Sequence, residues 1–191
     1  MNHAVKISAK ISAIWLVLVI AGAAAVHVLA VRSVPNLVMT RAMEAIGGTG
    51  LATDGKGGVN VMIHPALTTD KDRVVVRPSP DLAYSICILD LSQGPVRIRV
   101  ATGETYASLA IYADNTDNIF VLNDREAVNG MIDITVIHER MASPEGVEPD
   151  TISVVRSPSA KALALVRRVV ENNAHFAAMQ PLRQASSCTP L

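Results

Sequence analysis

The chain has 191 residues, with 17 basic and 17 acidic side chains that cancel to a formal net charge of zero. Because there is no basic run and no net positive charge, the composition excludes the electrostatic footprint of a nucleic-acid-binding protein. Aromatic residues make up 3% of the chain, which disfavours stacking platforms for bases or sugars.

The N-terminal part of the chain predicts a membrane anchor over residues 1–32. Lys6 and Lys10 precede a run from Ile11 to Val31 that has no formally charged residue. About 21 helical residues span about 31 Å, close to the thickness of a bilayer core. A cleaved signal peptide is the alternative, but apolar residues continue beyond its cleavage site at residues 21–23, so we favour an anchor. The basic start favours a cytoplasmic N-terminus, with the domain on the other side of the membrane.

Residues 33–58 predict a short juxtamembrane helix and a glycine-rich linker. Apolar residues at helical spacing continue to Ile46, and Gly47 and Gly48 act as a stop signal. The linker comes close to a phosphate-binding loop. However, Gly57 stands where Ser or Thr should bind Mg²⁺, and the segment that follows looks extended rather than helical, so we reject nucleotide binding.

From residue 59 the apolar pattern takes a period of two, which predicts short strands separated by turns. Such strands without intervening helices predict a mainly β fold, an antiparallel β-sandwich, over residues 59–178. Residues 84–91, the turn after them and the strand that begins at Pro95 predict a β-hairpin. The predicted strands are residues 59–63, 73–77, 84–91, 96–101, 106–114, 119–122, 133–138 and 151–156.

The last part of the chain predicts a C-terminal amphipathic helix and then a tail. Ser157 and Pro158 supply a helix cap and a first-turn proline, and residues 162, 163, 166, 169 and 170 form one apolar face. We expect this helix over residues 157–172 to pack on the sandwich. Residues 179–191 are expected to be a tail.

The two cysteines are expected in different places. Cys87 is predicted to face the core, whereas Cys188 lies in the predicted tail. An exported location permits a disulfide, but a strand interior and a late tail need not meet within bonding distance. The sequence therefore leaves the pairing open.

Residues suited to metal chemistry are scattered along the chain. His138 and Glu139 begin a zinc-protease pattern, but Ala142 occupies the position of the second histidine. Residues 114–118 offer oxygen ligands for calcium, yet they lack the glycine and the distal glutamate of a calcium loop, and Asp and Asn also favour turns. We predict no metal site and no cofactor.

Strand parity gives the best candidate binding site. Tyr84 and Asp90 project from one face of their predicted strand, and Tyr106, Tyr112 and Asp114 share a face of another. Hydroxyls and carboxylates converge if these faces meet. The alternative is that the tyrosines pack with one end wet while the aspartates cap turns. The candidate residues are Asp81, Tyr84, Asp90, Tyr106, Tyr112 and Asp114.

Motifs around these residues resemble a known family. The motifs follow one another in order: Arg77-Pro78-x-Pro80-Asp81-x-x-Tyr84-Ser85, Leu89-Asp90-Leu91-Ser92-x-Gly94-Pro95-Val96, Tyr106-x-Ser108, and the stretch from Asp114 to Phe120. The set resembles the bacterial family named for domain of unknown function 1254, over roughly residues 60–178. Members usually have Asn-Pro-Asp-Thr where residues 79–82 stand, and a Tyr-Tyr pair where residues 106 and 107 stand. The resemblance implies a β-sandwich, and many members continue into a second β-rich domain that resembles a jelly roll.

Together these features predict a membrane-anchored binding or assembly module outside the cytoplasm. The resemblance implies a protein partner, namely a second β-rich, jelly-roll-like domain on a separate chain. One alternative is an envelope enzyme, hydrolase-like, that uses Asp81, Tyr84 and Asp90 as acid, base or binding groups. Another is a small-ligand module on the tyrosine faces. Convergence of the candidate residues on one concavity would favour either alternative.

Overall fold

The structure, a computed structural model, describes residues 2–48, 58–69, 71, 78–142 and 154–191, with side chains from residue 13 onward in the first helix. That helix, α1 (Asn2–Gly48), has 47 residues and continues through Pro35. The predicted division between an anchor and a separate juxtamembrane helix is therefore wrong. A proline removes one intrahelical hydrogen bond, and the long stretches of helix-compatible sequence on both sides outweigh that local cost.

The N-terminal half of α1 exposes apolar side chains. Every side chain from Ile14 to Ile20 is more than half exposed. Within the described part of the chain, one helix is long and apolar enough to cross a membrane, and it lies in residues 13–48, with a mean hydropathy of 2.5.

The described residues after α1 form two four-stranded sheets, which confirms a mainly β fold. Sheet A has the strand order β1-β7-β3-β4 and is antiparallel throughout, and sheet B has the order β6-β5-β2-β8. Within sheet B, β5 and β6 are parallel, so the arrangement is not purely antiparallel as predicted. The strands are β1 (Leu82–Asp90), β2 (Val96–Ala101), β3 (Ala107–Ala113), β4 (Asn118–Asn123), β5 (Met131–His138), β6 (Val154–Ser157), β7 (Lys161–Val169) and β8 (Ser187–Pro190).

Two other predicted strands differ in outcome. Residues 59–63 form isolated bridges rather than a strand, because Val59 pairs with Ile88 and Ile63 pairs with Ile86. The strand predicted at residues 73–77 lies outside the described residues, as does most of the glycine-rich linker.

The predicted hairpin between β1 and β2 is wrong. Strand β1 pairs with β7, whereas β2 pairs with β5 and β8. The turn between them therefore connects the two sheets instead of folding one strand back on the other. The carboxylate of Asp90 accepts a hydrogen bond from the Ser92 backbone N–H at 2.9 Å and stabilises the start of this connection.

The predicted C-terminal amphipathic helix is also wrong, because residues 157–172 contain the end of β6 and all of β7. Strand β7 lies between β1 and β3 and pairs with both. A central strand buried on both faces is apolar at both parities, and such a run also contains the spacing of a helix. The hydrogen-bonding edges offered by β1 and β3 override the local helix signals.

The residues predicted as a tail, together with the segment just before them, form two short helices and a strand. Helix α2 (Asn173–Ala178) is capped by the Asn172 side chain, helix α3 (Gln180–Gln184) follows, and β8 pairs with β2. The sulfur atoms of Cys87 and Cys188 are bonded, with 6.5 Å between their Cα atoms. This disulfide joins β1 of sheet A to β8 of sheet B.

Two buried clusters explain how the elements pack. Residues of both sheets, such as Leu89 and Ile111 from sheet A and Ile98 and Ile134 from sheet B, share one core. A second cluster lies on the other face of sheet A, where α1 packs. Its buried members are Met39, Met43, Ile46, Ile63, Ile86, Ile88 and Leu163. The α1 residues recur three and four positions apart, which places them on one face of the helix.

Candidate functional site

The structure places the six predicted site residues at two opposite ends of sheet A. Strands β1 and β3 run in the same direction on either side of β7, since both are antiparallel to it. Residues near the start of these strands, Asp81, Tyr84 and Tyr106, therefore lie at one end, and Asp90, Tyr112 and Asp114 lie at the other. Tyr84 and Asp90 are about 20 Å apart along β1, at about 3.3 Å per residue.

At the first end, Tyr84 serves the local fold. Its hydroxyl oxygen accepts a hydrogen bond from the Ser79 backbone N–H at 2.9 Å, and its ring packs at the edge of the second cluster. The side chain of Tyr106 is half exposed, and its backbone carbonyl accepts from Val169. Asp81 is exposed in the turn before β1.

At the second end, each candidate residue also has a local contact. The Tyr112 hydroxyl accepts a hydrogen bond from the Arg167 guanidinium at 2.9 Å. Hydrogen bonds from Ser92 lower the pKa of Asp90, and the positive charge of Lys161, its partner on β7, adds to this effect. The Asp114 backbone N–H donates to the Ser159 hydroxyl.

The face between the two ends is covered by α1. Met39, Met43 and Ile46 pack over Ile86 and Ile88, which lie on β1 between Tyr84 and Asp90. Tyr84 and Tyr112 both pack against this cluster, and within the described residues no hydrogen bond joins two of the six candidate side chains. These contacts are of the kind expected when tyrosines pack with a polar end and aspartates support turns, and the binding site stays a prediction.

Sequence reasoning missed two buried arginines at the end of the domain where α2 and α3 lie. Arg168 is 1% exposed and belongs to β7, with Ala83 and Ala107 as its neighbours on β1 and β3. Its Nη2 donates to the Ala101 carbonyl at 2.7 Å and to the Ser186 hydroxyl at 2.9 Å. Its Nε and Nη1 are buried and have no hydrogen-bond partner among the described residues.

Arg183 of α3 is the second buried arginine and is also 1% exposed. Its Nη2 donates to the carbonyls of Pro65 and Tyr84, both at 2.7 Å, and its Nη1 donates to the Gln180 side chain at 2.9 Å. The guanidinium carbon lies 5.0 Å from the centre of the Phe176 ring. Its Nε is buried, and no described residue accepts a hydrogen bond from it.

The two guanidiniums carry charge that the described residues do not neutralise. The pKa of each is lowered to about 10, by burial in both cases and, for Arg168, also by the positive charge of Arg183. Both therefore remain protonated at neutral pH. Within the described residues, the ion pairs involve other arginines, and none joins a carboxylate to Arg168 or Arg183. Burying an ion without a counter-charge costs several kcal/mol.

A shallow pocket lies elsewhere, beside the β4 and β5 strands. It encloses about 440 Å³ and is lined by Leu122, Val128, Met131 and neighbouring residues. At its rim, Asp133 accepts hydrogen bonds from the Arg97 guanidinium at 2.8 and 2.6 Å. These bonds lower the pKa of Asp133. In the part of the chain that the structure describes, no cluster of three metal-binding side chains occurs.

Comparison with known families identifies the domain. The sequence pattern of the family described as "Protein of unknown function (DUF1254)" matches residues 59–190. The chain belongs to this family. In this DUF1254 protein the matched region includes α2, α3 and β8, and so contains both buried arginines and both cysteines of the disulfide. A search among curated proteins finds no match.

Two solved structures resemble the DUF1254 protein. The VPA0106 protein from Vibrio parahaemolyticus is 12% identical, with a TM-score of 0.54, and the likeness covers 82% of this chain and 37% of that chain. An uncharacterized protein from Burkholderia cenocepacia is 14% identical, with a TM-score of 0.47, covering 80% of this chain and 40% of that chain. The first likeness supports the fold. The chain spans less than half the length of either protein.

Proposed function

We propose that this DUF1254 protein is a single-pass protein of the bacterial inner membrane that holds a β-sandwich domain in the periplasm. The observation that carries the proposal is the bond between Cys87 and Cys188 in a chain with a long, exposed apolar helix. Disulfides persist in oxidising compartments and are rare in the cytosol. The basic residues Lys6 and Lys10 before the span favour a cytoplasmic N-terminus.

The contact between α1 and sheet A supports a defined position for this domain. If residues 11–31 span the bilayer, Met39 lies eight residues beyond the span, or about 12 Å at 1.5 Å per residue. Because Met39, Met43 and Ile46 are buried against the sheet, packing contacts as well as the chain connection hold the domain against α1. The domain then stays close to the membrane surface.

We further propose that the domain acts as a binding or assembly module with a separately encoded, β-rich partner that resembles a jelly roll. An exposed apolar side chain at the pocket supports this, since Val128, which lines it, is 73% exposed. The resembling VPA0106 protein is also much longer than the matched part. Anchoring both partners in one membrane raises their effective concentration, so even a weak interface is useful. Such a contact should bury about 1,200 Å² or more in total.

Fusions to the full chain test the location. Alkaline phosphatase fused after Leu191 should be active, and a green fluorescent reporter at the same point should stay dark. A phosphatase fusion after Lys10, before the span, is the matched control and should be inactive. A silent phosphatase together with a fluorescent reporter after Leu191 would contradict the proposed orientation.

Site-specific cross-linking tests the partner. A photo-activated cross-linker at Val128, used in the native envelope, should repeatedly capture one β-rich envelope protein, identified by mass spectrometry. The same cross-linker at Leu191, which is 63% exposed, is the control and should not capture that protein. Capture of nothing beyond the chain itself, together with a monomeric protein in detergent, would rule out this part of the proposal.

A further inference from the structure

Two short helices, α2 and α3, here called the cover, lie next to the buried arginines: Arg183 belongs to α3, and Arg168 binds Ser186 just after it. Helices α2 and α3 have six and five residues, and isolated helices of that length are not stable in water. Contacts with the sheets hold them in place. The Arg183 guanidinium itself provides such contacts through the carbonyls of Pro65 and Tyr84.

Ser186, just after α3, connects this cover to Arg168. Its hydroxyl oxygen accepts a hydrogen bond from Arg168 and another from the Ala101 backbone N–H at 3.2 Å. Its own backbone N–H donates to the Arg183 carbonyl at 3.0 Å. Arg183 and the hydroxyl group that binds Arg168 therefore belong to one short segment, residues 183–186.

Within the described residues, the two guanidiniums lack acceptors for some of their N–H groups and lack a counter-charge. Three guanidinium nitrogens, Nε and Nη1 of Arg168 and Nε of Arg183, are buried without an acceptor among the residues that the structure describes. The hydrogen bonds that these two side chains make to described residues all go to neutral acceptors, either a carbonyl, a hydroxyl or an amide oxygen. Water can satisfy an orphaned N–H group, but it cannot neutralise two like charges that repel each other.

We propose that Arg168 and Arg183 form a binding site for a small oxyanion that carries a phosphate or carboxylate group. Such a group has several acceptor oxygens and a negative charge, and guanidinium is the side chain best suited to it. The cover formed by α2 and α3 gives the ligand a route of entry, because short helices held by tertiary contacts open at lower cost than the sheets. The proposal does not depend on the location or the protein partner inferred above.

Anion titrations of the full chain in detergent test the site. Thermal melts are recorded with sodium phosphate, sodium citrate and sodium chloride at matched ionic strength. Phosphate or citrate should raise the melting temperature saturably, by about 5 to 10 °C at 100 times the dissociation constant. Chloride should not. The anion with the lower midpoint identifies whether the phosphate or the carboxylate group is preferred.

Variants and a direct binding measurement complete the test. Arg168→Gln should lose the saturable response, whereas the exposed Arg125→Gln, which removes the same charge, should keep it. If Arg168→Gln does not fold, phosphorus NMR of inorganic phosphate with the wild-type protein decides, since a bound fraction broadens the resonance and citrate or heat denaturation restores it. A melting temperature that responds equally to chloride, phosphate and citrate, or an unbroadened phosphate resonance, would overturn the proposal. A folded Arg168→Gln protein with an undiminished response would do the same.

Discussion

Reduction of the bond between Cys87 and Cys188 should destabilise the domain more than any single surface change. The bond closes a loop with a sequence separation of 101 residues. In the chain-entropy account, a loop of about 100 residues contributes about 4.7 kcal/mol at 25 °C, and measured disulfides typically contribute about 2 to 4 kcal/mol. For a domain of this size, about 3 kcal/mol corresponds to a fall in melting temperature of about 10 °C.

The assay is a thermal melt of the full chain in detergent, with and without a phosphine reductant. Circular dichroism of the β-sheet signal is the appropriate probe, because the single tryptophan, Trp15, lies in α1 and does not report on the sheets. Both cysteines are buried, at 0% and 4% exposure, so reduction should be carried out in mild denaturant and the denaturant then removed. Maleimide labelling of the unfolded protein counts the free thiols in each sample.

Alanine variants separate the two contributions of the cysteines. The reduced wild-type protein loses the cross-link but keeps both sulfur atoms in the core, whereas the double variant Cys87→Ala, Cys188→Ala also leaves a cavity. The double variant should therefore melt at or below the temperature of the reduced wild type. Equal melting temperatures for oxidised and reduced wild type would refute the reasoning, as would free thiols in protein purified without reductant.

Three further perturbations have matched or internal controls. Gly103→Ala should cost about 1 to 3 kcal/mol, because Gly103 has φ of +117° and an added Cβ would lie 2.6 Å from a Leu182 methyl group; Gly48→Ala, which meets nothing within 4 Å, should be neutral in the same melt. Met43→Ala should lower the unfolding free energy by about 2 to 5 kcal/mol, since this buried residue fixes α1 on sheet A, and an effect no larger than that of the exposed Leu37→Ala would argue against this packing. Asp133→Asn should lose up to about 1 kcal/mol at pH 7. The lowered pKa of this carboxyl makes its contribution present above the unfolded pKa and lost as pH falls through the folded pKa, so variant and wild type should converge in acid.

Strands with one wet face were predictable from the sequence. Residues 96–101 were predicted with the bounds that β2 has in the structure, because Val96, Ile98 and Val100 alternate with two exposed arginines. Such a strand carries its period in its own residues. The pairing of that strand was not predictable, since β2 is bonded to β5 and β8 and not to its neighbour in sequence.

Strands buried on both faces were less predictable. In β7, Ala162 and Val166 face the core shared by the sheets, and Leu163 faces the cluster under α1. Apolar residues at both parities remove the period of two, and the cap-like Ser157 and Pro158 then favour a helix. Whether this segment forms a helix or a strand depends on the hydrogen-bonding edges of β1 and β3, which are far away in sequence.

The candidate site was predictable only in its parts. Strand parity predicted that Tyr84 and Asp90 share one face of a strand. The packing of α1 over that face depends on long-range contacts, and no local pattern contains that information. Arg168 falls within the predicted C-terminal helix, and Arg183 falls within the predicted tail. A buried arginine looks like a solvated one in a single sequence, because burial follows from the topology around it.

The disulfide and the arginine pair belong to the same part of the fold. Cys188 lies two residues after Ser186, which binds Arg168, and its bond to Cys87 fixes the start of β8 against β1. Arg183 reaches back to the Tyr84 carbonyl, also on β1. The segment 183–188 is therefore attached to β1 at both ends, once by a hydrogen bond and once by a covalent bond. Because the covalent bond limits how far this segment moves, we expect the proposed opening of the cover to begin at α2, away from β8.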